Sequence, residues 1–412
     1  MVIVLVLLLG LGGVGLAQWY LWRRLVRDVS APGGWYRRAG TVLAVVLPLL
    51  SVGALVGGRL LPLDVERWFA WPGFLWLALM LYLVLALVVG EAVRPLLMRW
   101  PRRPDGVPDG VPDGAADGAP GAASDAAGRT APDGAAADPG RRLLVARSVA
   151  VAAGGAAAMV VGTGMYGVLS GPALKQVTVP LARLPRRAHG YRIAVVSDIH
   201  LGPILGRAHT QRIVDTINRA QPDLIAIVGD LVDGTVPELG PAALPLAQLR
   251  SRDGAFFVTG NHEYFSGAAP WVEFVRELGV HPLENARTEL PWFDLAGVND
   301  IQGTAEGQGP DYAKALGDRD RGRTAVLLAH QPVTIHQTVR YGVDLQLSGH
   351  THGGQLWPGN YLAELANPTV AGLERYGDTQ LYVTRGAGAW GPPVRVGAPS
   401  DITIVTLASS AA

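Results

Sequence analysis

The sequence contains no cysteine and carries almost no net charge. The absence of cysteine in 412 residues excludes disulfide bonds, thiol nucleophiles and cysteine-ligated zinc sites. Charged residues make up 17% of the chain and the formal net charge is +1, which argues against the concentrated basic surface that general nucleic-acid binding requires. Histidine is also absent before His189. Any chemistry that uses imidazole therefore belongs to the C-terminal part of the chain.

The N-terminal part contains long apolar runs with scarcely any charge. Residues 2–21, 41–58 and 69–90 form three such runs, and residues 148–169 form a fourth, weaker run that is rich in Ala, Gly and Val. Each run is about long enough to cross a hydrocarbon core of ~30 Å as a helix. We therefore predict a multi-pass protein of the cell membrane, for which the lipid bilayer is a partner.

The arginines beside these runs predict an orientation. The loop after the first run carries five arginines, which places this loop in the cytoplasm (Arg23, Arg24, Arg27, Arg37 and Arg38). The first three follow the apolar run instead of preceding it, so the run is not typical of a cleaved signal peptide. Four crossings would place the C-terminal part outside the cytoplasm. If the fourth run does not span, that part would be cytoplasmic.

A segment of low complexity separates the third and fourth runs. Pro-Asp-Gly recurs at positions 104, 108, 112 and 132, and the segment has almost no aromatic or branched apolar residue, so it cannot form a core. The pair Arg141-Arg142 that follows is typical of a cytoplasmic flank, although it also resembles a twin-arginine export signal. The predicted organisation is therefore three transmembrane helices (residues 1–98), a disordered linker (99–142), a fourth helix with its connector (143–180) and a C-terminal domain (181–412).

The C-terminal part contains short branched apolar runs that predict β-strands. Eight runs have this pattern: residues 193–196, 224–228, 256–258, 295–298, 325–328, 345–347, 381–383 and 402–407. Helices are expected near residues 210–220, 241–249 and 270–278. Strands that alternate with helices, followed by more closely spaced strands, predict a layered α/β domain with central sheets.

Polar residues with metal-binding side chains follow five of these strands. The segments are Ser197-Asp198-Ile199-His200, Gly229-Asp230-Leu231-Val232-Asp233, Gly260-Asn261-His262-Glu263, Ala329-His330 and Gly349-His350-Thr351-His352. In open α/β sheets, ligands bind at the carboxyl ends of the strands. A mixture of carboxylates, imidazoles and an amide suits Mn, Fe or Zn better than Ca or Mg.

Two of the segments place ligand-type residues at positions i and i+2. Asp198 and His200 could both turn toward one ion if the backbone kinks after the strand, and His350 and His352 repeat this spacing. A single Asp-x-His or His-x-His is more often a loop feature than a ligand pair, roughly three times in four. Five such segments in order, each after a strand, are hard to explain by chance and indicate a metal site.

The five segments resemble the five motifs of the calcineurin-like metallophosphoesterases, which are D-x-H, G-D-x-x-D, G-N-H-[DE], an isolated His and G-H-x-H. The resemblance covers about residues 192–407. Gly-His-Thr-His-Gly-Gly-Gln at 349–355, with Arg385-Gly386 downstream, is similar to the bacterial branch of membrane-associated phosphodiesterases. The resemblance implies a metallophosphoesterase domain with a four-layer α/β/β/α sandwich, placed after the transmembrane helices.

The resemblance also implies a role for each motif residue. The first metal would be held by Asp198, His200 and His352, the second by Asn261, His330 and His350, and Asp230 would bridge the two. His262 would be the catalytic acid and Glu263 would orient it, as carboxylates behind a reactive group do. Asp233 would brace the second loop, and Arg385 is a candidate substrate-binding residue.

By this resemblance the protein would be a hydrolase that uses two divalent ions, Mn, Fe or Zn, to activate a hydroxide that attacks phosphorus. The substrate would be a phosphodiester or phosphomonoester, including a lipid-linked or cell-envelope phosphate, and no specific nucleic acid is expected as a partner. The alternative is a non-enzymatic membrane module that binds metal or a partner without turnover. An intact His262 counts against this alternative, because a binding module has no use for an acid.

Overall fold

The computed structural model describes residues 2–57, 61–99 and 139–410. Its N-terminal part consists of four long helices, α1 (Val2–Trp22), α2 (Trp35–Gly57), α3 (Leu63–Arg99) and α4 (Pro139–Leu169). The last three contain stretches that are long and apolar enough to cross a membrane, at Trp35–Gly57, Leu63–Leu96 and Gly140–Leu169. The first predicted run is also helical. The prediction of apolar helices long enough to cross a membrane is therefore confirmed for α2, α3 and α4, while the four crossings and their orientation stay predictions.

Most of the predicted linker, residues 99–142, lies outside the described residues. At its ends, however, the prediction of disorder is wrong, because Arg99 is the last residue of α3 and residues 139–142 belong to α4. Pro139 begins α4, where its fixed φ suits a helix and its missing N–H costs no hydrogen bond. Arg141, Arg142 and Leu143 then continue the helix, since all three are good helix formers.

Twelve strands form two six-stranded sheets in the described part of the C-terminal domain. They are β1 (Ala173–Leu181), β2 (Tyr191–Val196), β3 (Leu224–Val228), β4 (Ala255–Val258), β5 (Val280–Pro282), β6 (Ala286–Glu289), β7 (Asp294–Gly297), β8 (Ala325–Leu328), β9 (Leu345–Ser348), β10 (Gly372–Tyr376), β11 (Thr379–Val383) and β12 (Asp401–Ser409). The first sheet has the order β1-β12-β2-β3-β4-β5 and the second β10-β11-β9-β8-β7-β6. All eight predicted strands are present.

The domain begins earlier than the sequence predicted. Strand β1 pairs in parallel with β12 along its whole length, from Ala173↔Asp401 to Leu181↔Ser409, so the first sheet starts at Ala173 and not at position 181. Apolar residues alternate with other residues at Val177, Val179 and Leu181, which is the pattern of a half-buried strand.

Seven further helices lie in this domain: α5 (Arg207–Ala220), α6 (Val236–Ala243), α7 (Asn261–Ser266), α8 (Ala268–Glu277), α9 (Tyr312–Leu316), α10 (Ile335–Thr338) and α11 (Gly359–Ala366). In β3, Leu224 and Val228 face the core between the two sheets, whereas Ile225 and Ile227 belong to the core that includes residues of α5 and α8. Residues of α9 share a third core with the outer face of the second sheet. These packing relations confirm the four-layer α/β/β/α sandwich.

The described residues divide into two compact units. One contains α1, the C-terminal part of α3 from Leu83 and α4 up to Ala156, and within it Arg24 forms an ion pair with Glu91 at 3.1 Å. The other contains residues 42–82 and 157–412, and so includes the whole C-terminal domain.

Candidate metal centre and active site

The five polar segments follow directly after buried strands. They begin after β2, β3, β4, β8 and β9, which are neighbours in the two sheets, so the segments meet at one edge of the sandwich. The strands beneath them are buried along nearly their whole length. This rigid support holds the segments in a fixed arrangement, as expected for ligand sites at strand ends.

The backbone of these segments adopts a left-handed conformation at five ligand-type residues. The φ angles are +51° at Asp198, +48° at His200, +52° at Asp230, +72° at His350 and +52° at His352. Residues other than glycine seldom adopt such angles, which cost of order 1–3 kcal/mol each and cluster at functional sites. In both i and i+2 pairs the two residues share this conformation. The predicted kink after the strands is therefore confirmed.

Two glycines allow the segments to approach one another closely. A Cβ atom at Gly349 would overlap Oγ of Ser197 and Oδ2 of Asp198, and one at Gly260 would overlap Oδ1 of Asp230. Only glycine leaves room for these contacts. The glycines of the motifs are thus required by the spacing between segments that are distant in sequence.

Asp198, His200 and His352 form the first cluster of ligand atoms. Their candidate ligand atoms all lie within 4.8 Å of one another. The Nε2 atoms of His200 and His352 are 3.0 Å apart, and Nε2 of His352 is 3.4 Å from Oδ1 of Asp198. Two nitrogens that each lie ~2.1 Å from one ion, at right angles to each other, would be about 3.0 Å apart. The spacing of these side chains therefore fits a shared cation.

Asp230, His330 and His350 form the second cluster, again with ligand atoms within 4.8 Å of one another. Oδ2 of Asp230 lies 3.1 Å from Nε2 of His330 and 3.8 Å from Nε2 of His200, so this carboxylate faces both clusters. The Oδ1 atom of Asn261 is buried and accepts no hydrogen bond from any described residue. A buried acceptor without a partner calls for an explanation, and a cation at this point would provide one.

The pKa values of Asp230, His350 and His352 are shifted toward the forms that bind a cation. Burial alone would raise the pKa of Asp230, but the imidazoles of His330 and His200 hold that pKa well below its ordinary value. Burial lowers the pKa of His350 to about 4 and holds that of His352 well below its ordinary value. These two imidazoles are therefore neutral near pH 7, which is the form that binds a metal.

His200 carries a proton that a metal would displace. Burial lowers the pKa of its imidazole, but the nearby Asp233 carboxylate outweighs burial and raises this pKa to about 9. Because ligands bind metal in their deprotonated form, cation binding at His200 has to release this proton.

His262 lies beside the two clusters, and its ring contacts Asp233. Nδ1 of His262 is 2.6 Å from Oδ1 of Asp233, and the same oxygen is 3.0 Å from Nδ1 of His200. The expectation that Glu263 orients His262 is wrong. The Glu263 carboxylate instead accepts hydrogen bonds from the backbone amides of Gly260, Asp230 and Leu231, at 2.6, 3.0 and 2.7 Å. It therefore joins the second and third segments.

The candidate substrate residue Arg385 lines a cavity of about 300 Å³ beside Gly353, the residue after His352.

The structure also identifies neighbours of the site that the sequence did not predict. Trp390 lies with its ring centroid 5.9 Å from that of His262, and Arg395 donates a hydrogen bond of 2.9 Å to the carbonyl of His352. Trp390 could have been identified from the sequence, because it is a tryptophan in a glycine- and proline-rich stretch just after Arg385-Gly386.

Comparisons with known proteins identify similar phosphoesterases. The calcineurin-like phosphoesterase family model matches residues 191–354. A transmembrane protein with metallophosphoesterase domain from Danio rerio is 39% identical over 260 residues, which cover 59% of this chain and 60% of that protein. An uncharacterized metallophosphoesterase from Aquifex aeolicus is 34% identical over 239 residues, which cover 57% of this chain and 91% of that protein.

A further uncharacterized metallophosphoesterase, from Helicobacter pylori, is 38% identical over 247 residues, which cover 59% of this chain and 66% of that protein. The chain therefore spans about 60% of the length of the Danio rerio relative but nearly the whole Aquifex aeolicus protein. The residues that match the family contain all five polar segments. The chain belongs to the calcineurin-like phosphoesterase family.

Proposed function

We propose that this protein is a metal-dependent phosphoester hydrolase, a phosphodiesterase or phosphomonoesterase, held in the cell membrane by its N-terminal helices. One observation carries the proposal. Six ligand-type side chains converge in two adjoining clusters, the buried Oδ1 of Asn261 accepts no hydrogen bond from any described residue, and His262, which belongs to neither cluster, lies next to them. A phosphate group needs positive charge on one side and a proton donor at its leaving oxygen.

Asp198, His200 and His352 would hold one divalent cation. The second would be held by Asn261, His330 and His350, with Asp230 shared by the two. This set of imidazoles, carboxylates and one amide suits Mn, Fe or Zn. When bound, two such cations neutralise the charge of the phosphate and activate water for attack on phosphorus.

His262 supplies the proton for the leaving group in this proposal. Its Nδ1 faces Asp233, which leaves Nε2 as the atom that donates a proton to the leaving alkoxide when the P–O bond breaks. The ring is 16% exposed at its side chain, so it remains accessible from the substrate side. Arg385 is proposed to bind the part of the substrate beyond the scissile phosphate, since it lines the cavity beside the first cluster.

The paired His262 favours an enzyme over a module that only binds metal or a partner. Both kinds of protein would need the seven ligand-type residues. Only the enzyme needs a histidine that is held by a carboxylate and placed at the edge of the clusters.

We also propose a topology in which four membrane crossings place residues 173–412 outside the cytoplasm.

Metal removal and reconstitution of the full-length protein in detergent tests the function. The protein stripped by a chelator should hydrolyse neither phosphodiesters nor phosphomonoesters, and Mn, Fe or Zn should restore hydrolysis as two equivalents bind. Inductively coupled plasma analysis measures the metal, and a panel of water-soluble esters measures turnover. A protein that binds two equivalents and hydrolyses neither an ester of the panel nor a phospholipid in vesicles would support the binding module instead.

A further inference from the structure

Exposed apolar side chains surround the candidate active site. We call six of them the apolar rim: Phe265, Trp357, Tyr361, Leu362, Leu365 and Trp390. Three belong to α11 and Trp357 lies two residues before it, and Leu362 and Leu365 are 71% and 84% exposed. Large exposed apolar patches with a polar border mark interaction sites in proteins.

Two residues of the apolar rim contact the proposed proton donor, His262. The ring centroids of Phe265 and Trp390 lie 5.5 and 5.9 Å from that of His262. Gln355 holds the Trp390 loop in place, because its Nε2 donates to the Trp390 carbonyl and its Oε1 accepts from the Trp390 amide, both at 3.0 Å. Apolar surface is therefore fixed directly beside the proposed proton donor.

The same region is continuous with the membrane-spanning helices of its unit. Tyr82 of α3 donates a hydrogen bond of 3.0 Å to the carbonyl of Trp357. Gly391, next to Trp390, lies against the ring of Phe74, so that a Cβ atom there would be 3.6 Å from Cε1 of that ring. Both Phe74 and Tyr82 lie inside the apolar stretch Leu63–Leu96.

A loop of the first metal segment also packs on these helices. Ile204, four residues after His200, packs against the cluster that contains Phe74 of α3. It packs as well against the cluster that contains Val168, at the end of α4. Two separate loops of the site thus contact helix segments that are long and apolar enough to cross a bilayer. The mouth of the site is therefore close to the lipid surface.

The interior beside the first cluster is polar. The cavity of about 300 Å³ is lined by Arg385, Asn360 and Glu364 as well as by Trp357 of the apolar rim. The buried Oδ1 of Asn360 accepts no hydrogen bond from any residue the structure describes. A small polar cavity with apolar side chains at its edge matches a molecule with a polar head and apolar chains.

We propose that the apolar rim is immersed in the bilayer surface and that the substrate is a phosphoester of a membrane lipid, which reaches the site without leaving the leaflet. This inference rests on the phosphoester hydrolase function proposed above. The head group would occupy the cavity and the acyl chains would stay against the apolar rim. Water adds to phosphorus and loses a proton, the P–O bond to the leaving alcohol breaks, and that oxygen takes its proton from His262, which the proton released by the water restores. A diester gives a phosphate monoester and an alcohol, and a monoester such as phosphatidic acid gives inorganic phosphate and an alcohol.

Immersion is tested first, by single-cysteine labelling, which the absence of native cysteine makes possible. Leu365→Cys in the full-length protein is labelled with an environment-sensitive fluorophore and reconstituted in phosphatidylcholine vesicles. We expect quenching by spin-labelled lipid and protection from iodide. The matched control is Val339→Cys, at an exposed apolar position that faces the turn between β10 and β11. We expect a label at position 339 to be quenched by iodide and not by spin-labelled lipid. Iodide quenching at position 365 equal to that at 339 would overturn immersion.

The substrate class is tested with the metal-loaded, full-length protein in vesicles. Phosphatidylcholine is mixed with phosphatidylethanolamine, phosphatidylglycerol or phosphatidic acid, and lipid hydrolysis is compared with that of water-soluble bis(4-nitrophenyl) phosphate. We expect hydrolysis of at least one lipid class. In the Leu362→Ser/Leu365→Ser double variant, the ratio of lipid to soluble-ester hydrolysis should fall by at least about tenfold, because two leucines no longer partition into the lipid. Val339→Ser should keep the ratio of the parent protein.

Failure of this inference differs from failure of the proposed function. If the soluble ester is hydrolysed and no lipid class is, or if the double variant keeps the ratio, the lipid substrate is wrong and the hydrolase function stands. If the metal-loaded protein hydrolyses neither the soluble ester nor any lipid, the hydrolase function itself is wrong.

Discussion

Oδ1 of Asp233 lies 2.6 Å from Nδ1 of His262 and 3.0 Å from Nδ1 of His200. One carboxylate oxygen thus contacts the proposed proton donor and a proposed metal ligand at the same time. Asp233 follows β3, as does Asp230, so the loop that carries the proposed shared ligand also contacts two imidazoles. The position of the proposed proton donor relative to the proposed metal ligands is therefore set by a single short loop.

Asp233→Asn should slow phosphoester hydrolysis by about 10- to 100-fold, the usual effect of removing a carboxylate behind a ligand or catalytic group. The amide oxygen can still accept a hydrogen bond from one ring, but the charge that stabilises both imidazoles is lost. Turnover and metal content are measured on the same full-length protein. Asp215→Asn, a change at an exposed carboxylate on α5, is the control. Turnover equal to that of the control would contradict the role assigned to Asp233.

Asp230→Asn should remove most activity and lower the metal content of the purified protein. Its carboxylate faces both clusters, so a neutral amide weakens the binding of two cations at once. Elemental analysis and hydrolysis of a soluble ester provide the readouts. Asp318→Asn, at a side chain that is 82% exposed, is the matched control. Full metal occupancy together with parental turnover in Asp230→Asn would show that the site is misassigned.

The strands that the sequence failed to predict are the four edge strands of the two sheets. These are β1 and β5 in the first sheet and β6 and β10 in the second. An edge strand is only partly covered, so its sequence is less apolar, as in Arg287-Thr288-Glu289 of β6. The interior strands are covered on both faces and appear as continuous apolar runs, which is why all eight of them could be predicted.

The same reasoning explains the result for the candidate site. The pairing of Asp198 with His200 could be anticipated from their spacing after one strand. His352 follows β9 of the second sheet, so its place in the same cluster could be anticipated only from the family resemblance. The contact between His262 and Asp233 could not be anticipated from the sequence, because it depends on how α7 begins. Glu263 is the third residue of α7 and turns back to the amide of Gly260, as a glutamate in a capping box does. Glu263 is therefore not the partner of His262. The ring of His262 instead contacts Asp233, which follows a different strand.

His209 should make the stability of the C-terminal domain depend on pH. The residue is 1% exposed on α5, and burial, with a contribution from the Arg212 charge, lowers its pKa to about 4 from an ordinary value of 6.5. Because the folded-state pKa lies below the unfolded one, this contribution is present above pH 6.5 and is lost as the pH falls toward 4. Its full size is at most about 3 kcal/mol.

The test compares thermal unfolding of the parent protein and His209→Gln at several pH values between 7 and 4. The variant should lose less stability on acidification than the parent, and the comparison cancels the effect of the metal ligands, which both proteins share. His336→Gln, at an exposed histidine of the same domain, is the control and should follow the parent protein. Parallel curves for His209→Gln and the parent would contradict the buried, neutral state of His209.

The topology is tested with single cysteines and a membrane-impermeant maleimide on intact cells. Asp378→Cys lies on a fully exposed turn of the C-terminal domain and should be labelled, because the arginine loops predict four crossings. Ala31→Cys lies between α1 and α2, in the loop predicted to be cytoplasmic, and should be labelled only after lysis. Protection of position 378 in intact cells would place the domain in the cytoplasm and require an odd number of crossings.

His262→Ala separates an enzyme from a binding module at one residue. Because His262 is proposed as a proton donor and not as a ligand, both metals should stay bound while turnover slows. General acid catalysis is worth about 10²–10⁴-fold, so the loss should fall in that range for an alkyl ester, whose alkoxide leaving group needs a proton. The loss should be much smaller for a nitrophenyl ester, whose leaving group needs little protonation.

Each other outcome assigns a different role to His262. Equal losses on the alkyl and nitrophenyl esters would mean that the ring mainly positions the phosphate. Loss of a metal would make His262 a ligand, a role that its position within 4.8 Å of ligand atoms of His200 and Asp233 makes worth testing by elemental analysis of the same sample. No loss on either ester would remove His262 from the mechanism. Only a leaving-group-dependent loss with two metals retained supports proton donation, because positioning and ligation affect both esters through the same phosphate.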